Sequence, residues 1–291
     1  MNANAKKTQQ VATQYLELPR PDGTTGRIAY DDRGEGPLIL MAPGMGMIRS
    51  SFRHLAPLLA EAGYRVVTTD YRGLGESDTG WDEYSSEATG ADMTALLRHL
   101  DAGPALVYGN SYTAAAAIHI AALPDAKALL RGIVLSGPFV RDGDAPNLIA
   151  TLTAKLITWS PLTRMMWMAW FPHMFPARRP DYREYRDAVD ANLREPGRAE
   201  VFAKMCAGTH GPAAAKLPLA DSAVSGIPAL VVMGTKDEDF PDPVAEAKFV
   251  GDALHGRVAM VEGVGHAPQD EAPAEVARLI LEFDPTAPAR Q

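Results

Sequence analysis

Short apolar runs alternate with longer helix-like segments along most of this chain, and that alternation restricts the fold more than any other feature. Strand-like runs fall at 37–42, 64–70, 104–109, 132–135, 229–233 and 257–261, and helix-like stretches at 51–63, 87–100, 111–123, 243–254 and 272–283. Strands joined by helices of this length pair in parallel through right-handed crossovers. The sequence therefore predicts an α/β fold, a mostly parallel sheet flanked by helices, preceded by a hairpin of residues 16–18 and 27–30.

One long stretch interrupts this rhythm. Residues 141–217 contain no convincing strand pattern, whereas Leu148, Leu152 and Leu156 fall on one helical face. Several prolines then divide the stretch into short pieces. We therefore expect 141–217 to be a helical cap, or lid, inserted after the sixth strand, with 1–140 and 218–291 forming the core domain.

Composition excludes several classes of protein. The single cysteine, Cys206, rules out an intrachain disulfide and a multi-cysteine zinc site. A net charge of −8 argues against a general nucleic-acid surface. Apolar stretches stay below the ~18 residues of a membrane span, and the N-terminus has no apolar signal segment, so a cytoplasmic location is expected. No spacing is typical of a metal or dinucleotide site, so we expect neither metal nor cofactor.

The strongest local signal is the pentapeptide from Gly109 to Thr113, which lies between a predicted strand and a predicted helix. A serine at such a sharp turn, here Ser111, is held with its hydroxyl exposed at a helix N-terminus, where backbone amides stabilise an anion. A serine in this position can also simply cap the helix. The pentapeptide alone leaves both interpretations open.

An aspartate and a histidine follow two later strands. Asp237 comes after strand 229–233 and His266 after strand 257–261. Because ligands bind at the carboxyl ends of parallel strands, Ser111, Asp237 and His266 are expected to converge at that edge of the sheet. Other candidates for the acidic position are Asp239 and Asp242 in the same loop.

These features together resemble the α/β-hydrolases over residues 27–283. The resemblance adds the run from Asp70 to Asp78 (DYRGLGESD), similar to a turn after that family's fourth strand, and Pro43-Gly44, where many members have His-Gly. It implies an eight-stranded type of sheet, with Ser111 as nucleophile, His266 as general base and Asp237 as the group that orients the imidazole. Some members carry the acid after the sixth strand instead, where Asp142 and Asp144 lie in this chain.

The same resemblance implies an oxyanion hole made by the backbone N–H groups of Met45 and Tyr112. Two positions depart from the family pattern. Thr113 stands where a second glycine is usual, and Pro43 replaces histidine in the loop after the third strand. Because both donors belong to the backbone, proline in place of histidine at position 43 does not by itself remove them.

Aromatic and sulfur-containing side chains crowd into the predicted cap. Four consecutive apolar residues, 165–168, are more than one helical face can bury. Part of the set packs the cap, and part is expected to line a pocket for an apolar acyl or ring-bearing small molecule. The pocket candidates are Trp159, Met166, Trp167, Trp170 and His173.

The resulting expectation is an esterase-like serine hydrolase that cleaves a carboxylic ester or related acyl bond without a cofactor. Serine rather than aspartate at position 111 disfavours the dehalogenase and epoxide-hydrolase branches of the family. A carbon–carbon bond hydrolase, a perhydrolase or haloperoxidase, and a catalytically weak, receptor-like binding protein remain alternatives. The oligomeric state is left open.

Overall fold

A computed structural model describes residues 11–140, 160–209 and 217–287. Its centre is one eight-stranded sheet in the order β1-β2-β4-β3-β5-β6-β7-β8. The strands are β1 (Gln14–Pro19), β2 (Thr25–Arg33), β3 (Leu38–Ala42), β4 (Arg65–Thr69), β5 (Ala105–Asn110), β6 (Leu130–Ser136), β7 (Ala229–Gly234) and β8 (Arg257–Val261).

The parallel part of the sheet runs from β4 to β8, and β1 and β2 add an antiparallel edge. Every residue of β3, β5 and β7 is buried, which explains their continuous apolar runs. The predicted α/β class and mostly parallel sheet are confirmed. The hairpin is present, although its strands are longer than the sequence pattern indicated.

Helices cover both faces of the sheet. Helix α1 (Leu55–Glu61) packs on one face with α11 (Pro273–Phe283), which shares an apolar cluster with β3 through residues such as Val276 and Ile39. On the other face lie α2 (Ser86–Leu100), α3 (Tyr112–Ala121), the short α4 (Ala126–Leu129) and α9 (Pro243–Leu254). The core is therefore two apolar layers separated by the sheet.

One helix prediction needs correction, and another is confirmed with a short additional helix before it. The predicted helix over 51–63 is a 3₁₀ turn, Arg49–Phe52, followed by the separate helix α1. A continuous helix would place Pro57 in its interior, where the ring clashes with the preceding turn. The predicted helix over 272–283 begins at Pro273, and a four-residue helix, α10 (Pro268–Glu271), precedes it. Proline at the first turn of each explains the break.

Between β6 and β7 the described residues form helices joined by turns and short loops, without a strand. They form α5 (Ser160–Trp170), a 3₁₀ turn (Phe171–Met174), α6 (Tyr182–Arg194) and α7 (Arg198–Thr209), here called the β6–β7 helices. Helix α8 (Leu219–Ser225) then leads into β7. The rest of the predicted cap, 141–159 and 210–216, lies outside the described residues.

Polar contacts fasten the β6–β7 helices to the core. Arg53 bonds Asp181 at 2.7 Å and Asp270 at 3.1 Å, so one guanidinium joins the start of α6 to α10. The Asn192 side chain accepts from the Gly75 N–H at 2.9 Å and donates to the Gly75 carbonyl at 2.8 Å. Within the described ranges, no helix is long and apolar enough to cross a membrane.

The run from Asp70 to Asp78 forms a tight, internally bonded turn after β4. The buried carboxylate of Asp70 accepts from the backbone N–H groups of Arg49 at 2.7 Å and Glu76 at 3.0 Å, and also binds the Arg49 guanidinium. The Ser77 hydroxyl donates to the Asp70 carbonyl at 2.7 Å. These contacts give the run a structural role.

The junction between β5 and α3 is sterically tight. A Cβ added to Gly109 would lie 2.3 Å from the Thr113 carbonyl oxygen, a backbone atom that cannot move aside. At Gly132, in the adjacent strand β6, the nearest atom would be the tip of the Leu106 side chain, at 3.1 Å. Only the first position therefore requires glycine for the turn to close.

We expect Gly109→Ala to lower the free energy of unfolding by about 3 kcal/mol, because the added methyl group overpacks a backbone junction. Gly132→Ala is the matched control and should cost about 1 kcal/mol, since side-chain tips can adjust. Urea unfolding of both variants measures the difference. Equal losses would show that the junction is not especially constrained.

Candidate active site

Ser111 occupies the junction between β5 and α3 in a strained conformation. Its φ of 56° and ψ of −114° lie in a region that residues other than glycine rarely adopt. The Ser111 N–H donates to the Ser136 carbonyl of β6 at 2.7 Å, which fixes the turn. The residue precedes α3, but its side chain makes no capping hydrogen bond. The capping interpretation of Ser111 is therefore not supported.

Thr113, the first departure from the family pattern, is built into the turn. It is fully buried, and its hydroxyl donates to the Ala42 carbonyl at the end of β3, 2.7 Å away. The same oxygen accepts from the Asn110 N–H at 2.9 Å. A second glycine would lack these bonds, so threonine closes the turn by a different set of contacts.

Asn110 joins the serine turn to the loop that carries the histidine. Its side-chain amide donates to the carbonyls of Ser136 and His266, both at 3.0 Å. Its Oδ1 accepts from Gln269 Nε2 at 3.0 Å, and Gln269 Oε1 in turn accepts from the Tyr108 hydroxyl at 3.1 Å. Because all five groups are buried, this network holds the two loops in one relative position.

His266 and Asp237 form a buried pair at the carboxyl ends of β7 and β8. Asp237 Oδ2 lies 2.8 Å from His266 Nδ1, and both residues are 2% exposed. The two loops come together closely, since a Cβ at Gly234 would lie 2.2 Å from the Gly265 carbonyl. Asp237 is therefore the acid beside Nδ1, whereas Asp242 caps α9 by accepting from the Ala245 N–H.

A second carboxylate lies on the other edge of the imidazole. Asp239 Oδ2 is 3.3 Å from His266 Nε2. Burial acts to lower the pKa of His266, but the charges of Asp237 and Asp239, with a smaller contribution from Glu271, outweigh it and raise the pKa to about 9. The imidazole therefore favours its charged form near neutral pH.

Glu271 supports the histidine loop from α10. Its carboxylate accepts from the Gly265 N–H at 2.7 Å and from the Ala177 N–H at 2.6 Å, so it links the loop to the end of the 3₁₀ turn between α5 and α6. Burial raises the pKa of Glu271 to about 7. The His266 N–H donates to the Met174 carbonyl at 2.9 Å, which adds a second link to that turn.

Tyr71 stabilises the loop after β3, where proline replaces the usual histidine. Its hydroxyl donates to the Gly44 carbonyl at 3.1 Å and accepts from the Gly46 N–H at 2.8 Å. Gly46 has a φ of 68°, which favours glycine. Met45 lies between these two anchored residues, and Tyr112 begins α3, whose first N–H groups have no partner within the helix.

A cavity of about 720 Å³ opens beside these groups, and its walls are mainly apolar. Ser111, His266, Met45 and Tyr112 line it, together with three of the predicted pocket residues. The full lining is Gly44, Met45, Met47, Ser111, Tyr112, Phe139, Met166, Trp167, Ala169, Trp170, Phe202, Cys206, Glu238, Asp239 and His266.

The other predicted residues lie elsewhere. His173 is more than half exposed, contacts Glu238 at 3.1 Å and is not among the lining residues. Trp159, Asp142 and Asp144 fall outside the described residues. Met166, Trp167 and Trp170 reach the cavity from α5, and the Trp167 indole donates to the Gly46 carbonyl at 3.2 Å.

Sequence reasoning missed several wall residues because they come from distant elements. Phe139 follows β6, and Phe202 and Cys206 lie one turn apart on α7. The four-residue spacing of the last two marks a shared helical face, but a face alone does not indicate a cavity. Burial raises the pKa of the Cys206 thiol to about 12, as expected for a packed side chain.

Asp237, Asp239 and His266 are also the described residues that come closest to a metal-binding group. One ligand atom from each lies within 4.8 Å of the others. Asp237 Oδ2 lies 2.8 Å from Nδ1 of the histidine, and Asp239 Oδ2 lies 3.3 Å from Nε2. The same two carboxylates are the main charges that raise the pKa of His266.

The order of the strands and the serine turn between β5 and α3 define an α/β-hydrolase fold. The sequence profile described as "Alpha/beta hydrolase family" matches residues 39–279. The chain belongs to this family.

Curated relatives match over short regions and carry different names. A putative non-heme bromoperoxidase of Mycobacterium tuberculosis is 38% identical over 85 residues, covering 29% of this chain and 32% of the relative. The bifunctional epoxide hydrolase 2 of Sus scrofa is 33% identical over 88 residues, 30% of this chain and 16% of the relative. The matches thus span about a third or less of these proteins.

Solved structures resemble this one over nearly the whole chain. A bromoperoxidase from Bacillus anthracis superposes with a TM-score of 0.77 and 20% identity, over 93% of this chain and 99% of the other. An esterase from Exiguobacterium antarcticum gives a TM-score of 0.77 and 17% identity, with the same coverage. At such identities the likeness establishes the fold alone.

The raised pKa of His266 makes the stability of the protein depend on pH. The pKa of His266 is about 9 in the folded chain and 6.5 for an ordinary histidine, so the folded chain holds this proton more tightly. The stabilisation that results is fully present at a pH below the ordinary pKa of 6.5, and it is lost as the pH rises through the folded-state pKa of about 9. We expect the free energy of unfolding to fall by up to about 3 kcal/mol over this interval.

Urea unfolding across that pH range measures the loss. His266→Gln should remove most of the slope, whatever its stability at one pH, whereas the exposed control His99→Gln should keep it. An unchanged slope in His266→Gln would contradict the assignment of the raised pKa to this residue.

Proposed function

We propose that this protein is a serine hydrolase that cleaves a carboxylic ester or related acyl bond of a small apolar substrate. The observation that carries the proposal is the buried pair of His266 and Asp237 beside the strained Ser111 turn. Ser111 and His266 line the same cavity. Serine on such a turn, with a histidine oriented by a carboxylate, is the arrangement of nucleophilic acyl transfer.

In the proposed reaction the Ser111 oxygen attacks the acyl carbon and its proton passes to His266 Nε2. The carbonyl oxygen becomes an oxyanion, which the N–H groups of Met45 and Tyr112 stabilise. His266 then protonates the leaving alcohol, and an acyl-enzyme forms on Ser111. Water, deprotonated by His266, cleaves that ester and restores the serine, while Asp237 holds the ring in the required orientation.

In this proposal residues 141–217 form a cap over a core of 1–140 and 218–291. The β6–β7 helices supply the apolar walls, through Met166, Trp167, Trp170 and Phe202. A cavity of about 720 Å³ with such walls suits an acyl chain or a ring. All the roles of the reaction are filled by side chains and backbone amides, so the mechanism uses no metal or cofactor.

A second candidate, perhydrolysis, uses the same groups. It is favoured by the names of the relatives, among them the bromoperoxidase of M. tuberculosis. Hydrogen peroxide would replace water as the acceptor, and the acyl group would leave as a peracid while Ser111 regains its proton. Measuring peracid with ester and peroxide present separates the two reactions. Epoxide hydrolysis is disfavoured, because Ser111 stands where that chemistry requires a carboxylate.

We expect Ser111→Ala to lower kcat/KM for p-nitrophenyl esters by about 10⁴-fold or more, since the nucleophile is lost. Ser86→Ala, on α2 and away from the cavity, is the matched control and should retain full activity. Thermal unfolding of both variants confirms that they fold. Activity retained by Ser111→Ala would refute the proposal.

The cavity predicts a preference for longer or aromatic acyl groups. We expect kcat/KM to rise from p-nitrophenyl acetate to the butyrate, octanoate and phenylacetate, as more apolar surface is buried. Ala169 is an exposed residue of the lining, so Ala169→Trp narrows the cavity without disturbing the core. This variant should impair the longer esters more than the acetate. A preference for acetate over all the others would contradict the assignment.

A further inference from the structure

Asp239 is the one charged residue of the β7–α9 loop that both lines the cavity and contacts His266. Its Oδ2 lies 3.3 Å from His266 Nε2, and its Oδ1 accepts from the Trp170 indole N–H at 2.9 Å. The Asp239 N–H donates to Asp237 Oδ1 at 3.1 Å. Backbone and side chain together therefore hold this carboxylate at the pocket edge of the imidazole.

The position of Asp239 conflicts with the chemistry proposed for the histidine. Asp237 already occupies Nδ1, so Nε2 is the nitrogen that must receive the Ser111 proton. A carboxylate beside Nε2 favours a proton on that nitrogen before the reaction begins. A histidine that already carries this proton cannot act as a base.

We propose, on the basis of the hydrolase function above, that Asp239 is a positioning residue of this site. Its carboxylate, tethered to Trp170, must leave Nε2 of His266 before Ser111 can transfer its proton there. The contact between Asp239 and Trp170 thus lowers the reactivity of Ser111 in the substrate-free protein, and an apolar substrate that displaces the Trp170 indole releases the carboxylate.

Trp170 is placed to sense what enters the cavity. It lies at the end of α5, is 40% exposed and belongs to the cavity lining. Its indole stacks on His173 with ring centroids 5.0 Å apart, and His173 contacts Glu238 in the same loop as Asp239. Two adjacent carboxylates of the loop therefore meet two side chains of the β6–β7 helices.

The two carboxylates differ in their relation to the imidazole, which provides a matched control. Asp237, Asp239 and Glu271 are the charged groups that raise the pKa of His266 from the β7–α9 loop and from α10. Glu238 is paired with His173 at the surface. Asp239→Asn removes the negative charge beside His266 Nε2 and keeps an oxygen that can accept a hydrogen bond from the Trp170 indole. Glu238→Gln also removes one negative charge, but from a carboxylate that contacts His173 rather than His266.

The experiment is the pH dependence of kcat/KM for a p-nitrophenyl ester. The acidic limb of this profile reports the pKa of His266 in the free enzyme, because at lower pH the histidine is already protonated and cannot accept the Ser111 proton. In Asp239→Asn this limb should move to lower pH by about one unit, which raises kcat/KM about tenfold on the limb. Trp170→Phe, which loses only the indole donor, should shift it in the same direction by less.

Glu238→Gln should leave the limb where it is. An Asp239→Asn profile that coincides with the wild type, or that moves to higher pH, would overturn the proposal. A drop in activity at all pH values with an unchanged limb would also overturn it, because that is the result of a purely structural role.

The NMR titration of the His266 Cε1–H signal gives a readout independent of turnover. A pKa lower by about one unit in Asp239→Asn than in the wild type supports the proposed contact. Equal values overturn the role of Asp239 even in an active enzyme. If the wild type hydrolyses no ester, the proposed function fails, and the titration alone then decides whether Asp239 controls the histidine.

Discussion

The contact between His266 and Asp237 is the interaction on which the rest of the site depends. Removing one partner of such a buried charged pair leaves the other unpaired and costs about 3–5 kcal/mol, so the chain must bring both residues to the same place. It does so through two loops that follow neighbouring strands, β7 and β8. Their backbones come so close at Gly234 and Gly265 that no side chain fits between them.

Hydrogen bonds to the backbone fix the position of the His266–Asp237 pair relative to Ser111. The Asn110 side-chain amide links β5 to β6 and to the carbonyl of His266, and the Glu271 carboxylate accepts a hydrogen bond from the Gly265 N–H. These groups belong to the sheet, to the loops that follow its strands and to the short helix α10. The β6–β7 helices add the cavity walls and, through Trp170, a contact with the second carboxylate, Asp239. In the proposed function, the sheet and its loops position the reacting groups, and the β6–β7 helices select the substrate.

The sequence was sufficient to predict what depends on strand order. The length of the apolar runs, and the helical periodicity of the segments between them, indicate parallel strands. Because the carboxyl ends of parallel strands lie at one edge of the sheet, Asp237 and His266 are expected to converge there. Contacts between distant residues could not be predicted. Tyr71 supports the loop in which Pro43 replaces histidine, and no local pattern connects the two. From the sequence, Asp239 is only an alternative to Asp237 for the acidic position, whereas in the structure both carboxylates contact His266, Asp237 at Nδ1 and Asp239 at Nε2.

The most direct test of the central claim is covalent labelling of the native protein with a fluorophosphonate, followed by peptide mass spectrometry. The reagent forms a stable phosphonyl ester only with a serine activated by a neighbouring base. We predict one adduct on Ser111, strongly reduced in His266→Ala and absent in Ser111→Ala, with each variant folded. A well-folded native protein without an adduct on Ser111 would contradict the account, however closely its structure resembles that of a hydrolase.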